Sequence, residues 1–309
     1  MRNTFINEVY NLAGNDESIY LMTGDLGFGV LDKFKNDYPN RFINAGISEQ
    51  NMTSMAAGMA VEGKKVVTYS IGNFSTMRCL EQIRNDVAYH QANVKIVAIG
   101  CGFSYGALGM SHHSTEDIAI MRALPGMTIF SPSDSVEARE VAKNIFNVNG
   151  PCYIRLSKGG EKTYHNEDFT MQIGQAYKLI DGDDTAIFVT GSILEEVIEA
   201  VNKLNNLGIH CSVYTFPTIK PINVECVQEI CKKFSTIFTV EEHNIIGGFG
   251  SAISEIIAEN CYNVRQVRIG INDVYASVVG NQKYLRDYYN ISSKYIELSI
   301  QRNIDRIKR

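Results

Sequence analysis

Three short stretches of the sequence carry side chains that simple packing does not call for. The first is Asn44-Ala45-Gly46-Ile47-Ser48-Glu49-Gln50-Asn51-Met52, where Glu49 leads a helix whose next residues include Met52, Met55, Ala56, Ala57 and Met59. An acidic side chain in a first turn is favoured by the helix dipole. A carboxylate held against apolar neighbours also keeps a proton more readily, which suits it to proton transfer, and both readings stay open. The second stretch, Gly106-Ala107-Leu108-Gly109-Met110-Ser111-His112-His113-Ser114-Thr115-Glu116-Asp117, is a glycine-rich loop with two of the six histidines. Adjacent histidines lack the one-face spacing of a helical metal pair, so no metal site is expected there. Imidazole titrates near neutrality and fits general acid–base or substrate-polarising work, against the alternative of two solvated loop histidines. The third stretch, Tyr69 to Thr76, sets Phe74 where a strand passes into a helix. Such a ring can stack on a flat heterocycle, or simply be the first core residue of the helix.

A fourth pattern is set aside. Gly182-Asp183-Asp184 followed by Asn205-Asn206 has the outline of a Gly-Asp-Gly…Asn signature for Mg2+ and a cofactor diphosphate. Its third residue is Asp, its intervening stretch is short, and it falls in a polar turn.

The elements that must hold these residues follow from hydrophobic period. Apolar runs predict strands at Ile19 to Thr23, Arg41 to Ala45, Lys65 to Ile71, Val94 to Gly100, Met127 to Ser131 and Cys152 to Leu156. Amphipathic spacing predicts helices over Glu49 to Glu62, Phe74 to Gln91, Thr115 to Ala123 and Ser135 to Phe146. In the third of these, Glu116 and Asp117 give a favourable first-turn charge pattern. Strands alternating with helices imply an α/β fold with a parallel sheet covered on both faces.

The alternation lapses over the polar, turn-rich stretch from about residue 158 to 184. It resumes with strands Thr185 to Thr190, Cys211 to Phe216, Thr236 to Val240 and Val264 to Ile269, helices between them and a helical tail. The expected division is residues 1–165, a linker 166–184, and a smaller α/β domain 185–309.

Composition narrows the class of protein. At 309 residues, about two domains are expected, and 45% apolar content is ordinary for globular chains. A net charge of -5 and a pI near 5.7 argue against nucleic-acid and membrane-surface partners, which require a basic face. No apolar run approaches the ~18 residues of a bilayer span, and the first residues contain no apolar leader segment. Seven cysteines without a CxxC pair fit free thiols in a reducing cytoplasm.

The order and spacing of the chemical segments resemble the C-terminal portion of transketolases. The match runs from Arg2 to the region of Glu255 and is carried by NAGISEQNM, NFSTMRCLEQIRND, GALGMSHHSTEDIAIMRALPGMTIFSPSD, YIRLSK and TVEEHNIIGGFGSAI. The resemblance implies a pyrimidine-binding domain of the thiamine diphosphate fold followed by a transketolase C-terminal domain. It also implies that the diphosphate-binding domain, which completes the site with Mg2+, comes from a separate N-terminal subunit. The chain thus looks like the C-terminal subunit of a split transketolase, with an α2β2 assembly and transfer of a two-carbon ketol unit between sugars. In that pattern Glu49 is the glutamate that bonds the aminopyrimidine, Phe74 stacks on it, and Ile47 and Gln50 adjoin the cofactor. His112 matches the histidine near the thiazolium and the sugar hydroxyls, while Arg2, Asp25 and Lys158 match substrate-binding positions.

Three departures bear on substrate. Lys158 stands where an arginine is usual, which loses the planar fork but keeps a point charge for phosphate. Typical members carry a histidine about a dozen residues before the His112 position and an aspartate four before it; here these are Gly100 and Leu108. A site without those polar groups suits a ketose with fewer or differently placed hydroxyls, in a specialised sugar pathway. The rival readings are a beta subunit of a 2-oxo-acid dehydrogenase decarboxylase, a deoxyxylulose-phosphate synthase-like fragment, and a non-catalytic subunit of the same fold.

Overall fold

The computed structural model describes residues 1–307 and contains two sheets. The strands are β1 (Ile19–Thr23), β2 (Phe42–Asn44), β3 (Lys65–Ile71), β4 (Val94–Ile99), β5 (Thr128–Phe130), β6 (Cys152–Leu156), β7 (Tyr177–Ile180), β8 (Thr185–Val189), β9 (Cys211–Thr215), β10 (Thr218–Lys220), β11 (Thr236–Asn244) and β12 (Arg265–Ile271). The first sheet runs β10-β5-β6-β4-β3-β1-β2, parallel except where β10 meets β5. The second runs β12-β11-β8-β9-β7, parallel except where β7 meets β9. Strands β4, β6 and β8 are buried along their whole length, the state that continuous apolar runs such as Val94-Lys95-Ile96-Val97-Ala98-Ile99 encode. The one charge in that run, Lys95, survives burial because its ammonium donates to the Val148 and Gly150 carbonyls at 2.8 and 2.7 Å.

The doubly covered parallel sheet expected from the sequence is present, and the differences lie at its margins. The first residues form the helix Arg2–Asn15, which is absent from the elements expected above. Its buried Phe5, Ile6, Val9 and Ala13 pack in one core with Ala138, Val141 and Ile145 of the helix Ser135–Ile145. The helix predicted over Phe74 to Gln91 is interrupted. A 3-10 turn Met77–Cys79, an α turn Leu80–Gln82 and a π turn Ile83–Ala88 replace it, leaving Phe74 in the preceding turn. The helix predicted from Thr115 begins at Asp117, and that residue is not a solvated first-turn charge. Its buried carboxylate takes hydrogen bonds from Arg155 Nε and Tyr153 Oη, both at 2.7 Å.

Two antiparallel edge strands depart from the sequence pattern as well. The stretch expected to be linker contains β7. Strand β10 follows β9 in the chain yet pairs with β5, so the second half of the sequence supplies the edge of the first sheet. Both are short and flanked by turns or prolines, so neither shows a periodic signal. Among the described residues, no helix is long and apolar enough to cross a membrane.

Candidate active site

Open α/β sheets present their ligand sites beyond the carboxyl ends of the strands. Here the ends of β1, β2, β3 and β4 lead into the loops that carry Asp25, Glu49, Phe74 and His112. Asn44, the last residue of β2, organises two of these loops. Its Oδ1 accepts from the backbone N–H groups of Asp25 and Gly46, and its Nδ2 donates to Asp25 Oδ1, all at 3.0 Å. Those bonds support the left-handed backbone at Asp25 (φ 60°) and at Gly46 (φ 72°), where glycine avoids a steric cost. The turn at Gly46 delivers Glu49 to the start of the helix Glu49–Val61.

Glu49 is 3% exposed, so its carboxylate is desolvated as well as placed at a helix N-terminus. Its Oε2 accepts from Arg78 Nη1 at 2.8 Å, and among the described residues its Oε1 has no hydrogen-bond partner. The same Arg78 guanidinium lies over the Phe74 ring, 4.2 Å from the centroid. A flat group bearing N–H donors therefore sits between an aromatic face and a buried carboxylate. His112 also packs edgewise against Phe74, with ring centroids 5.1 Å apart, and its Nδ1 lies 3.0 Å from Ser111 Oγ.

The two adjacent histidines diverge. His113 is buried against Phe103, with its Nε2 3.1 Å from the Gly106 carbonyl oxygen, and burial lowers its pKa. It belongs to the core, whereas His112 is half-buried and faces Phe74 and Tyr105.

The remaining candidates occupy different places. Arg2 and Asp25 line a cavity of about 240 Å3 together with Tyr69, Ile71 and Tyr105. Lys158 instead lines a larger cavity of about 660 Å3 between the two domains, and its ammonium lies 5.8 Å above the Tyr105 ring. Glu161 holds the start of the first helix to the Lys158 loop, accepting from the Met1 ammonium at 3.1 Å and from Gly159 N at 3.0 Å. Ile47 is 81% exposed and Gln50 is exposed, both on the surface beside Glu49 rather than in the cavity. Among the described residues no cluster of three or more His, Cys, Asp or Glu side chains could hold a metal ion.

Three residues of the site were missed from sequence. Arg78 follows Phe74 by four positions, a spacing that hints at a shared face. Asn44 stands two residues before a glycine, as in an Asx turn. Tyr105 had no local signal, because its place depends on Gly100. A Cβ at Gly100 (φ 91°) would fall 2.1 Å from Tyr105 Cδ2, so the tyrosine ring fills the space a side chain there would need.

The loop bearing Tyr105 is fixed from the second domain. Glu242, buried at the end of β11, accepts from Phe103 N at 2.9 Å and from Arg286 Nη2 at 2.6 Å. Arg155 continues this seam, donating through Nη2 to the Ser114 and Glu242 carbonyls at 2.8 and 2.9 Å.

Fold and site together define a two-domain α/β protein that gathers a buried carboxylate, an aromatic face and an imidazole at the strand ends of its first sheet. The chain belongs to the transketolase family. Residues 1–161 match the family model for the transketolase pyrimidine binding domain, and residues 174–296 match that for the transketolase C-terminal domain. It is 40% identical to a putative transketolase C-terminal section of Methanocaldococcus jannaschii, over 96% of this chain and 93% of that protein. It is 35% identical to one of the subunits of an apulose-4-phosphate transketolase of Phocaeicola vulgatus, over 96% and 94%. Among solved structures, a split gene transketolase described as an inactive beta4 tetramer aligns with a TM-score of 0.89. That match has 31% identity and covers 98% of this chain and 97% of the other.

Proposed function

We propose that the chain is the C-terminal subunit of a two-subunit transketolase, working with an N-terminal subunit that holds the diphosphate and Mg2+ of thiamine diphosphate. The observation that carries this reading is the position of Arg78. Its guanidinium, flat and rich in N–H donors, lies on Phe74 and against the buried Glu49 carboxylate. An aminopyrimidine has the same character, so the gap fits that ring once Arg78 swings toward the solvent it already reaches at 44% exposure.

Bound there, thiamine diphosphate supplies the carbanion chemistry that breaks and forms carbon–carbon bonds between sugars. The chain's own residues do the rest. Glu49 holds a proton against the pyrimidine ring nitrogen in a site shielded from water. Phe74 fixes the plane of that ring. His112, half-buried and 5.1 Å from Phe74, exchanges a proton with a sugar hydroxyl in this reading. Arg2 and Asp25 contact the sugar chain from their cavity, Lys158 attracts an anionic substrate from the far side of Tyr105, and Ile47 and Gln50 present cofactor contacts.

The need for a partner is supported by the related split gene transketolase, whose beta4 tetramer is described as inactive. An α2β2 assembly follows if two such pairs form. The seven free cysteines fit a reducing compartment such as the cytoplasm. The relative named for apulose 4-phosphate supports a ketose of a specialised pathway, as does Gly100 at a position where a histidine is usual.

The test is Glu49→Gln in the complex reconstituted with the N-terminal subunit. Ketol transfer should fall by roughly 10²–10⁴-fold, the span of a lost acid–base group. Transfer at near wild-type rate contradicts the assignment, and a panel of ketose phosphates in the same assay tests the substrate class.

A further inference from the structure

Tyr105 is the residue that lines both the 240 Å3 cavity with Arg2 and Asp25 and the 660 Å3 cavity between the domains. Its ring stands over Gly100, whose left-handed backbone and lack of a Cβ make the room. It forms a wall between two spaces, held in register by the Glu242 bond to Phe103 N two residues earlier.

Charge converges on that wall from both sides. Arg2 lines the smaller cavity together with Tyr69 and Tyr105, and the Lys158 ammonium lies over the Tyr105 ring from the larger one. Among the described residues neither cation has a carboxylate partner within 4 Å. The carboxylates of the larger cavity are paired with other cations, Glu195 with Lys162, Glu196 with Arg286 and Glu199 with Lys203, while Asp25 in the smaller one is held by the neutral Asn44 amide. Two cations with no carboxylate within 4 Å, set about one phenol, make a place for an anion. Burial raises the Tyr105 pKa against the opposing pull of Arg2, so the phenol keeps its proton and donates.

We propose that Tyr105 is a specificity-determining residue of the substrate site, a claim that rests on the transketolase reading above. Its ring closes the far end of the Arg2–Asp25 cavity and sets the length of ketose accepted. Its hydroxyl, beside Arg2, donates to the phosphate at the end of that ketose.

The near-isosteric Tyr105→Phe keeps the wall and removes only the donor. In the reconstituted complex, KM for a five-carbon ketose 5-phosphate should rise roughly ten-fold or more with kcat retained, the effect of losing a hydrogen bond to a charged group. KM for the same ketose without phosphate should not change. Equal effects on the two ketoses, or no effect on either, overturn the phosphate contact. Tyr105→Ala joins the two cavities, so its kcat/KM for a seven-carbon relative to a five-carbon ketose phosphate should rise. An unchanged ratio overturns the wall. A wild-type complex that turns over no ketose rejects the transketolase reading instead. Tyr105 is then judged by titrating inorganic phosphate into wild type and Tyr105→Phe by 31P NMR, where equal affinity overturns the proposal.

Discussion

Two groups of charged residues lie within this chain, and they are built differently. In the seam between the domains, Asp117, Arg155, Glu242 and Arg286 are all buried and meet one another, backbone groups and Tyr153 in short hydrogen bonds. At the strand ends, Glu49 is buried but keeps one oxygen without a partner, its Arg78 is partly in solvent, and Arg2 and Lys158 line cavities. The seam spends nearly all of its bonding capacity internally, Asp117 Oδ1 excepted, which has only His243 Nε2 nearby at 3.9 Å; the strand-end group leaves donors and acceptors facing cavities and solvent. Burial alone does not separate a structural charge from a functional one; bonding capacity that faces a cavity or solvent does.

The sharpest way to test that contrast is to remove one carboxylate from each group. Glu242→Ala leaves the Arg286 guanidinium buried without its main partner, which costs about 3–5 kcal/mol of stability. The loss falls toward the lower end because Glu196 remains 3.5 Å from Arg286. Glu49→Gln leaves Arg78 free to hydrate, so denaturant midpoints should shift by less than the equivalent of ~1 kcal/mol while activity collapses. A large stability loss in Glu49→Gln, or a small one in Glu242→Ala, would erase the distinction.

A smaller effect distinguishes the seam by pH. Burial pushes the Glu241 carboxyl up to about 7, despite hydrogen bonds from Phe249 N and Gly250 N, and pushes the His243 imidazole beside it down to about 4. The folded state therefore keeps the Glu241 proton longer than the unfolded chain, and stability falls as pH rises from about 4.5 to 7. For His243 the folded state sheds its proton earlier, and stability rises between about pH 4 and 6.5. The two slopes oppose each other, so their joint contribution is nearly level from about pH 4.5 to 6.5. Glu241→Gln should unmask the His243 effect as stability that climbs across that window. A variant whose pH profile matches the wild type would show that neither group is held as described.

How much of this was legible in the sequence depends on how local each cause is. The central strands β1, β3, β4, β6, β8 and β9 follow from apolar runs, because burial on both faces leaves no other pattern. The helix Arg2–Asn15 was legible but went unread: Phe5, Ile6, Val9, Leu12 and Ala13 keep a helical spacing, masked by the polar residues between them. The break after Phe74 escaped because Met77, Leu80, Ile83 and Val87 keep a helical spacing that 3-10 and π turns also satisfy. In the site, Glu49, Phe74 and His112 announce themselves by chemistry at strand ends. Arg78, Tyr105 and the Glu242–Phe103 bond do not, since each depends on a partner brought close only by the fold. The family resemblance named roles for Arg2 and Lys158 but did not reveal that Tyr105 stands between their cavities.

The central claim is that this chain supplies one side of a thiamine diphosphate site and requires a second subunit for the other. It is tested most directly by calorimetric titration of thiamine diphosphate and Mg2+ into the chain alone and into its complex with the N-terminal subunit. Stoichiometric binding in the complex, with only weak binding by the chain alone, is the predicted result. Tight stoichiometric binding by the isolated chain would contradict it.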